Sequence, residues 1–242
     1  MRRAGETANI EVSIRKKAVR SAAGERKEIL ADIAFALEPG EVTALVGPSG
    51  SGKTTLLKIV AGLDRDFEGA VSVPTRRLGF VFQEPRLLPW RSVEENVRIA
   101  APDASDAELD AIFEALGLAH HRRHYPGELS LGLARRAAVA RAFAVRPDLL
   151  LLDEPFVSLD ETLARQLQEE LIALVERSCV TSLLVTHDIL EAARLVERVI
   201  VLDGRPARMV ADLPIEVPRA RRSANFVSSV AERIRATRIT TL

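Results

Sequence analysis

The chain has 242 residues, 47% of them hydrophobic and 28% charged, with 34 basic against 34 acidic side chains. That balance excludes an unfolded polyelectrolyte, which would have fewer apolar residues and more net charge. The length suits one large domain or two small ones.

No stretch approaches the ~18 apolar residues that a bilayer-crossing helix needs. Met1 to Lys17 is mixed and charged, without a secretory apolar core, and Cys179 is the only cysteine. A cytosolic chain without an intrachain disulfide is expected, with any membrane role exerted through a partner. Residues 1–27 hold 8 basic and 3 acidic side chains, and residues 203–242 hold 8 and 4. Basic ends could meet lipid headgroups or nucleic acid, but neither is interleaved with aromatic residues, so both read as solvated ends.

Short apolar strands alternate with helical patterns, which predicts an α/β fold with parallel strands. Val42–Val46 reads as a buried strand, and the helix after it runs from Thr54 to Gly62. Leu78–Phe82 is the next strand. Ser92 to Val145 has helical periodicity and no strand, with Leu109, Ile112, Phe113 and Leu116 at helical spacing. Strands follow at Leu149–Leu152, Ser182–Val185 and Val199–Leu202, the last closed by the turn pair Asp203-Gly204. Residues 204–242 read as an irregular tail with one short helix from about Phe226 to Ile234.

Gly47-Pro48-Ser49-Gly50-Ser51-Gly52-Lys53-Thr54 fits G-x-x-x-x-G-K-[ST] between a strand and a helix. Its glycines let the backbone curl, so that N–H groups face phosphate oxygens. The following helix adds the positive end of its dipole. Lys53 can place its ammonium on the β- and γ-phosphates, and the Thr54 hydroxyl can ligate Mg²⁺.

The strand Leu149–Leu152 delivers Asp153 and Glu154 to its C-terminal end. Adjacent residues of a strand point in different directions, so the pair can divide two tasks. Asp153 suits Mg²⁺, and Glu154 suits polarisation of the attacking water as general base. His187 ends the strand that follows and can reach a γ-phosphate. His120, His121 and His124 sit in one basic run without an acidic or cysteine ligand, which reads as a solvated helix end.

Together these pieces resemble the nucleotide-binding subunit of ABC transporters, roughly from Ile10 to Leu202. In that resemblance Gln83 is the Q-loop glutamine, which touches Mg²⁺ and senses the membrane subunit. Leu129-Ser130-Leu131-Gly132-Leu133 occupies the place of the L-S-G-G-Q signature, Ser158-Leu159-Asp160 that of the D-loop, and His187 that of the switch histidine. Ser130 reads as an N-cap of a helix from Leu131 to about Val145, which makes a second anion site. The resemblance implies two ATP molecules sandwiched in a head-to-tail dimer. It also implies a P-loop NTPase core of mostly parallel sheet flanked by helices. An N-terminal antiparallel β part and a helical insertion at about 92–145 complete one ABC ATPase domain over 1–242.

By the same resemblance ATP meets Val19, Gly47 through Thr54, Thr55, Ser130 and Gly132. Mg²⁺ meets Thr54, Gln83 and Asp153, and catalysis falls to Glu154, His187, Lys53 and Gln83. The sequence departs from the family pattern in two places. Leu131 and Leu133 replace a glycine and the glutamine of the signature, which bears on the contact made in trans. Lys16-Lys17-Ala18-Val19-Arg20 holds no aromatic where the family stacks one on adenine. Val19 there gives up stacking energy on the order of 1 kcal/mol, so weaker or less base-selective ATP binding is expected.

Gln83-Glu84-Pro85-Arg86-Leu87-Leu88-Pro89-Trp90 carries the L-L-P-W string of nitrate, sulfonate and taurine importers, and Val217-Pro218-Arg219 with Ser223 to Phe226 fits that group's C-terminus. Trp90, in a polar loop, suits a protein interface. The expected partners are a second ATPase subunit, permease subunits met through Gln83 to Ser92 and, indirectly, a periplasmic or extracellular solute-binding protein. Nucleic acid is not expected. The expected place is the cytoplasmic face of the cell membrane. A soluble or regulatory ABC-type ATPase with weak hydrolysis is the alternative.

Overall fold

The computed structural model describes residues 9–20, 24–75 and 77–237. Arg2, Arg3 and Arg238, part of the basic ends, lie outside them. In chain order the elements are β1 (Ile10–Arg20), β2 (Arg26–Leu37), β3 (Val42–Val46), α1 (Lys53–Val60), β4 (Glu68–Ser72) and β5 (Leu78–Val81). There follow α2 (Val93–Ala100), α3 (Asp106–Ala115), α4 (Leu131–Ala144), β6 (Leu149–Asp153) and α5 (Glu161–Ser178). The chain continues through β7 (Thr181–Thr186), α6 (Ile189–Leu195), β8 (Arg198–Asp203), β9 (Arg208–Pro214) and α7 (Ala224–Ala236). No helix among the described residues is long and apolar enough to cross a membrane.

The chain divides into two compact units, residues 1–74 with 183–242, and residues 75–182. In the first, β1 pairs antiparallel with both β2 and β4. Val12 and Ile14 of β1 meet Phe35 and Ile33 of β2 across the ladder, and all four are buried. This is the expected antiparallel part. β3 and β8 pair in parallel, and each of their apolar residues is buried, as strands covered on both faces require.

Residues 204–242 depart from the irregular tail expected of them. β9 pairs antiparallel with β8, from Arg198↔Pro214 to Asp203↔Arg208. Its residues are exposed or half-buried, so no apolar alternation marks it as a strand. The ladder and the forked Arg198–Asp212 pair hold it instead, with Nε and Nη2 at 2.7 and 2.6 Å from the two carboxylate oxygens. The tail helix α7 is longer than expected. Ser223 caps it, accepting from Phe226 N at 3.2 Å, and Val227, Val230, Ala231 and Ile234 form its buried stripe.

In the second unit β5 and β6 pair in parallel, from Leu78↔Leu149 to Val81↔Leu152. Helices fill the region from 93 to 144, with no strand among its residues. Ser92 and Glu95 form a capping box at α2, and Ser105 and Glu108 another at α3. The histidine run differs from a solvated helix end. It forms a 3₁₀ turn at Ala119–His121, and His124 O accepts from Val93 N at 2.9 Å. Arg122 lies over the Phe113 ring at 4.8 Å and bonds Asp110 and Glu94.

Glu94 accepts from Arg98 Nε at 2.8 Å and Arg122 Nε at 3.0 Å. Burial pushes its carboxyl pKa up, but the bonds from Arg122 and Arg98 outweigh this and hold it below the ordinary value. A depressed carboxylate stabilises the fold above its unfolded pKa and loses that contribution as pH falls through its folded one. Glu94→Gln is therefore expected to lower urea stability by about 1–2 kcal/mol at neutral pH, with the gap from wild type closing as the medium is acidified below about pH 4.

Candidate active site

The first unit carries the phosphate loop. Gly47 leaves β3 so close to β8 that a Cβ there would lie 2.6 Å from Leu202 O. Gly52 sits at the N-cap of α1 with φ 88°, where a Cβ would meet Leu30 Cδ2 at 2.7 Å. A side chain at either position would displace the loop. No side chain caps α1, so its first-turn N–H groups suit an anion.

Lys53 is buried, and its ammonium donates to Gly47 O and Pro48 O, each at 2.9 Å. The lysine thus folds back over the loop it follows and holds the curl with its charge inside. Ser51 donates its N–H to Pro48 O at 3.2 Å, while its buried hydroxyl has no hydrogen-bond partner. A buried polar atom without a partner is costly, and a phosphate oxygen would satisfy this one. Pro48, Ser49 and Gly50 are exposed at the loop crest, and Thr54 and Thr55 are half-buried in the first turn of α1.

His187 follows β7 directly and is exposed. Its neighbours fix it. Thr186 is buried and its hydroxyl accepts from Asp188 N at 3.0 Å. Asp188 caps α6, accepting from Leu190 N at 2.8 Å and Glu191 N at 3.2 Å. Val19 is exposed on β1 opposite Lys27. Two residues before it, buried Lys17 donates to Asp64 Oδ1 at 2.8 Å and Asp66 O at 2.7 Å, which ties that end of β1 to the segment after α1.

The second unit carries Gln83, the acid pair and the signature. Asp153 is the last residue of β6, a strand buried throughout. Glu154 follows with φ 45°, in the left-handed region that side chains avoid. Gln83 lies two residues beyond β5, the strand parallel to β6, so glutamine and carboxylates leave the same end of one strand pair. The Gln83 amide oxygen and Asp153 carboxylate are hard oxygen donors, as is the Thr54 hydroxyl of the first unit, and each is of the kind that Mg²⁺ prefers.

Ser130 caps α4, its hydroxyl accepting from Leu133 N at 3.3 Å, as the spacing predicts. Gly132 is buried, with space for a Cβ up to ordinary contact with Leu163 Cδ1 at 3.8 Å. Leu131 is 44% exposed, an apolar side chain on the outer face of the signature. Ser158 has φ 65°, and Asp160 caps α5, accepting from Leu163 N at 3.0 Å. Trp90 is 69% exposed.

Sequence reasoning missed the residue that shapes the loop before α2. Asn96 is buried, and its amide nitrogen donates to Leu88 O, Arg91 O and Ser92 O while its oxygen accepts from Leu88 N. A polar residue on the apolar side of an amphipathic helix was the available signal. Its four bonds help shape the loop that carries Trp90.

Lys53→Ala removes both the cation and the two bonds that hold the curl. It is expected to weaken ATP binding, measured by calorimetry, by about tenfold or more. Unchanged affinity would remove Lys53 from the site.

The chain matches the ABC transporter family over residues 30–157. It is 43% identical over 207 residues to the aliphatic sulfonates import ATP-binding protein SsuB 2 of Pseudomonas syringae pv. tomato, covering 84% of this chain and 89% of that one. It is 40% identical over 216 residues to the corresponding protein of Bacillus licheniformis, covering 83% and 84%. Among solved structures it resembles the ATP-binding cassette MJ0796 in a dimeric post-hydrolysis state bound to ADP and Pi. The TM-score is 0.73 and the identity 28%, with 87% of this chain and 100% of that chain covered. A strand–loop–helix built for phosphate, a buried strand ending in two carboxylates, a serine-capped signature helix and these likenesses agree: the chain belongs to the ABC transporter family, as an ATP-binding subunit.

Proposed function

We propose that this chain is the ATP-hydrolysing subunit of an importer for a small anionic solute, with an aliphatic sulfonate as the first candidate. The observation that supports this most is the likeness to sulfonate import ATP-binding proteins along more than four-fifths of the chain. Nitrate and taurine belong to the same chemical range.

Each residue takes a role its placement suits. The loop from Gly47 to Thr55 binds the triphosphate, with Lys53 on the β- and γ-phosphates and the Ser51 hydroxyl on a phosphate oxygen. Thr54, Asp153 and Gln83 are the residues that would hold Mg²⁺, which would supply charge neutralisation at the phosphates. Glu154 accepts a proton from the attacking water, and the exposed His187 orients the γ-phosphate. Val19 supplies an aliphatic contact to the base in place of an aromatic. Ser130 and Gly132 present the N-terminus of α4 to ATP on a second subunit. Permease subunits meet the segment from Gln83 to Ser92, where Trp90 projects, and a solute-binding protein acts on the far side of the permease. The chain works at the cytoplasmic membrane face.

One observation favours a second reading, a regulatory subunit with weak hydrolysis. The signature carries exposed Leu131 and half-buried Leu133, apolar side chains where a nucleotide would be received. Steady-state hydrolysis of the subunit in its permease complex separates the two.

Glu154→Gln keeps the shape of the side chain and loses its basicity. It is expected to retain ATP binding, accumulate as a dimer in gel filtration and lower hydrolysis by about a hundredfold or more. Normal turnover would overturn the assignment of the base. For the solute, the subunit co-expressed with its permease and binding protein is expected to take up a radiolabelled alkanesulfonate. Uptake of nitrate but no sulfonate would move the proposal to the other anion.

A further inference from the structure

The helix α4 begins at the signature serine, and one turn further on it carries an arginine in an unusual setting. Arg135 is 5% exposed. Its Nη1 donates to Gln83 O at 2.9 Å and Pro155 O at 2.9 Å, and its Nη2 to Val157 O at 2.5 Å. These partners are main-chain carbonyls, none of them a carboxylate, and its buried Nε has no partner. One side chain therefore holds the backbone of the glutamine after β5 and of the turn after β6.

Both ends of the turn are fixed. Val157 N donates to Glu154 O at 3.3 Å and closes it, and the arginine grips the carbonyls of Pro155 and Val157. Glu154, strained at φ 45°, lies inside this restrained segment. A second arginine of α4 extends the grip on the other strand end: Arg141 donates to Pro85 O at 2.9 Å and Arg86 O at 2.8 Å.

Stability alone does not call for this arrangement. Desolvating a guanidinium is expensive, and burial here lowers its pKa from the ordinary value. Apolar packing would serve a purely structural position at least as well. What the planar fork adds is geometry: several donors in fixed directions, able to span two strand ends at once.

We propose that Arg135 is a positioning residue for hydrolysis: it locks the turn of Glu154 to the main chain of Gln83, so that the glutamine and the base move as one body. The proposal rests on the reading of Glu154 as base. It also gives the signature helix a direct mechanical hold on both strand ends, because Ser130 and Arg135 belong to the same rigid rod.

The test uses the full chain with Arg135→Gln, which keeps one donor, and Arg135→Lys, which keeps the charge without the fork. Steady-state hydrolysis, ATP affinity by calorimetry, thermal midpoint and amide hydrogen exchange at 83–86 and 154–158 are measured together. Arg135→Gln is expected to lower kcat about ten- to a hundredfold with KM for ATP within about twofold, because small misplacements of reacting groups cost that much. Exchange is expected to rise at both segments together, and Arg135→Lys is expected to recover part of the rate. Normal kcat in a folded Arg135→Gln protein, or parallel losses of rate, ATP affinity and thermal midpoint, would overturn the proposal. Glu154→Gln, run beside it, keeps the two failures apart. If it turns over normally, the base reading has failed; if it is inactive while Arg135→Gln is normal, the positioning role alone has failed.

Discussion

The structure depends on one steric constraint, the approach of the main chain at Gly47 to the carbonyl of Leu202. A β-carbon would overlap that oxygen, so the chain can leave β3 toward α1 only with no side chain at this point. Once it has turned there, the loop is short enough for the following lysine to reach back onto two of its carbonyls. The curl and its cation are then a single object, formed by local contacts. Within the curl the buried Ser51 hydroxyl is without a hydrogen-bond partner, and an anionic ligand would satisfy it.

Where chemistry imposes a fixed spacing, the sequence was easy to read. The phosphate loop, the leucine run ending in Asp153 and Glu154, and the cap at Ser130 all appear in the fold at their expected positions. Each is specified within a few residues by steric or capping rules, so no tertiary information was needed. β9 was illegible for the converse reason. Its residues are at least partly open to solvent, and what makes it a strand is a ladder to β8 and an ion pair to Arg198. α7 was underestimated because its cap serine lies three residues before the first aromatic of the expected helix.

Arg135 and Asn96 were hidden in a different way. Each is a polar residue on the buried face of a helix, and its meaning lies in carbonyls that are 20 to 52 residues away for Arg135 and only 4 to 8 for Asn96. Periodicity registers such residues only as interruptions. In this chain the interruptions mark where helices grip loops, one beneath the acid-pair turn and the other beneath the turn bearing Trp90.

The backbone at Glu154 has a thermodynamic corollary. A glycine would adopt φ 45° without steric cost, whereas a glutamate there carries about 1 kcal/mol of conformational strain. The fold is therefore less robust at 154 than its own backbone would permit. Selection for thermostability alone would drift toward glycine at 154 and yield a sturdier cassette without the carboxylate proposed as its base.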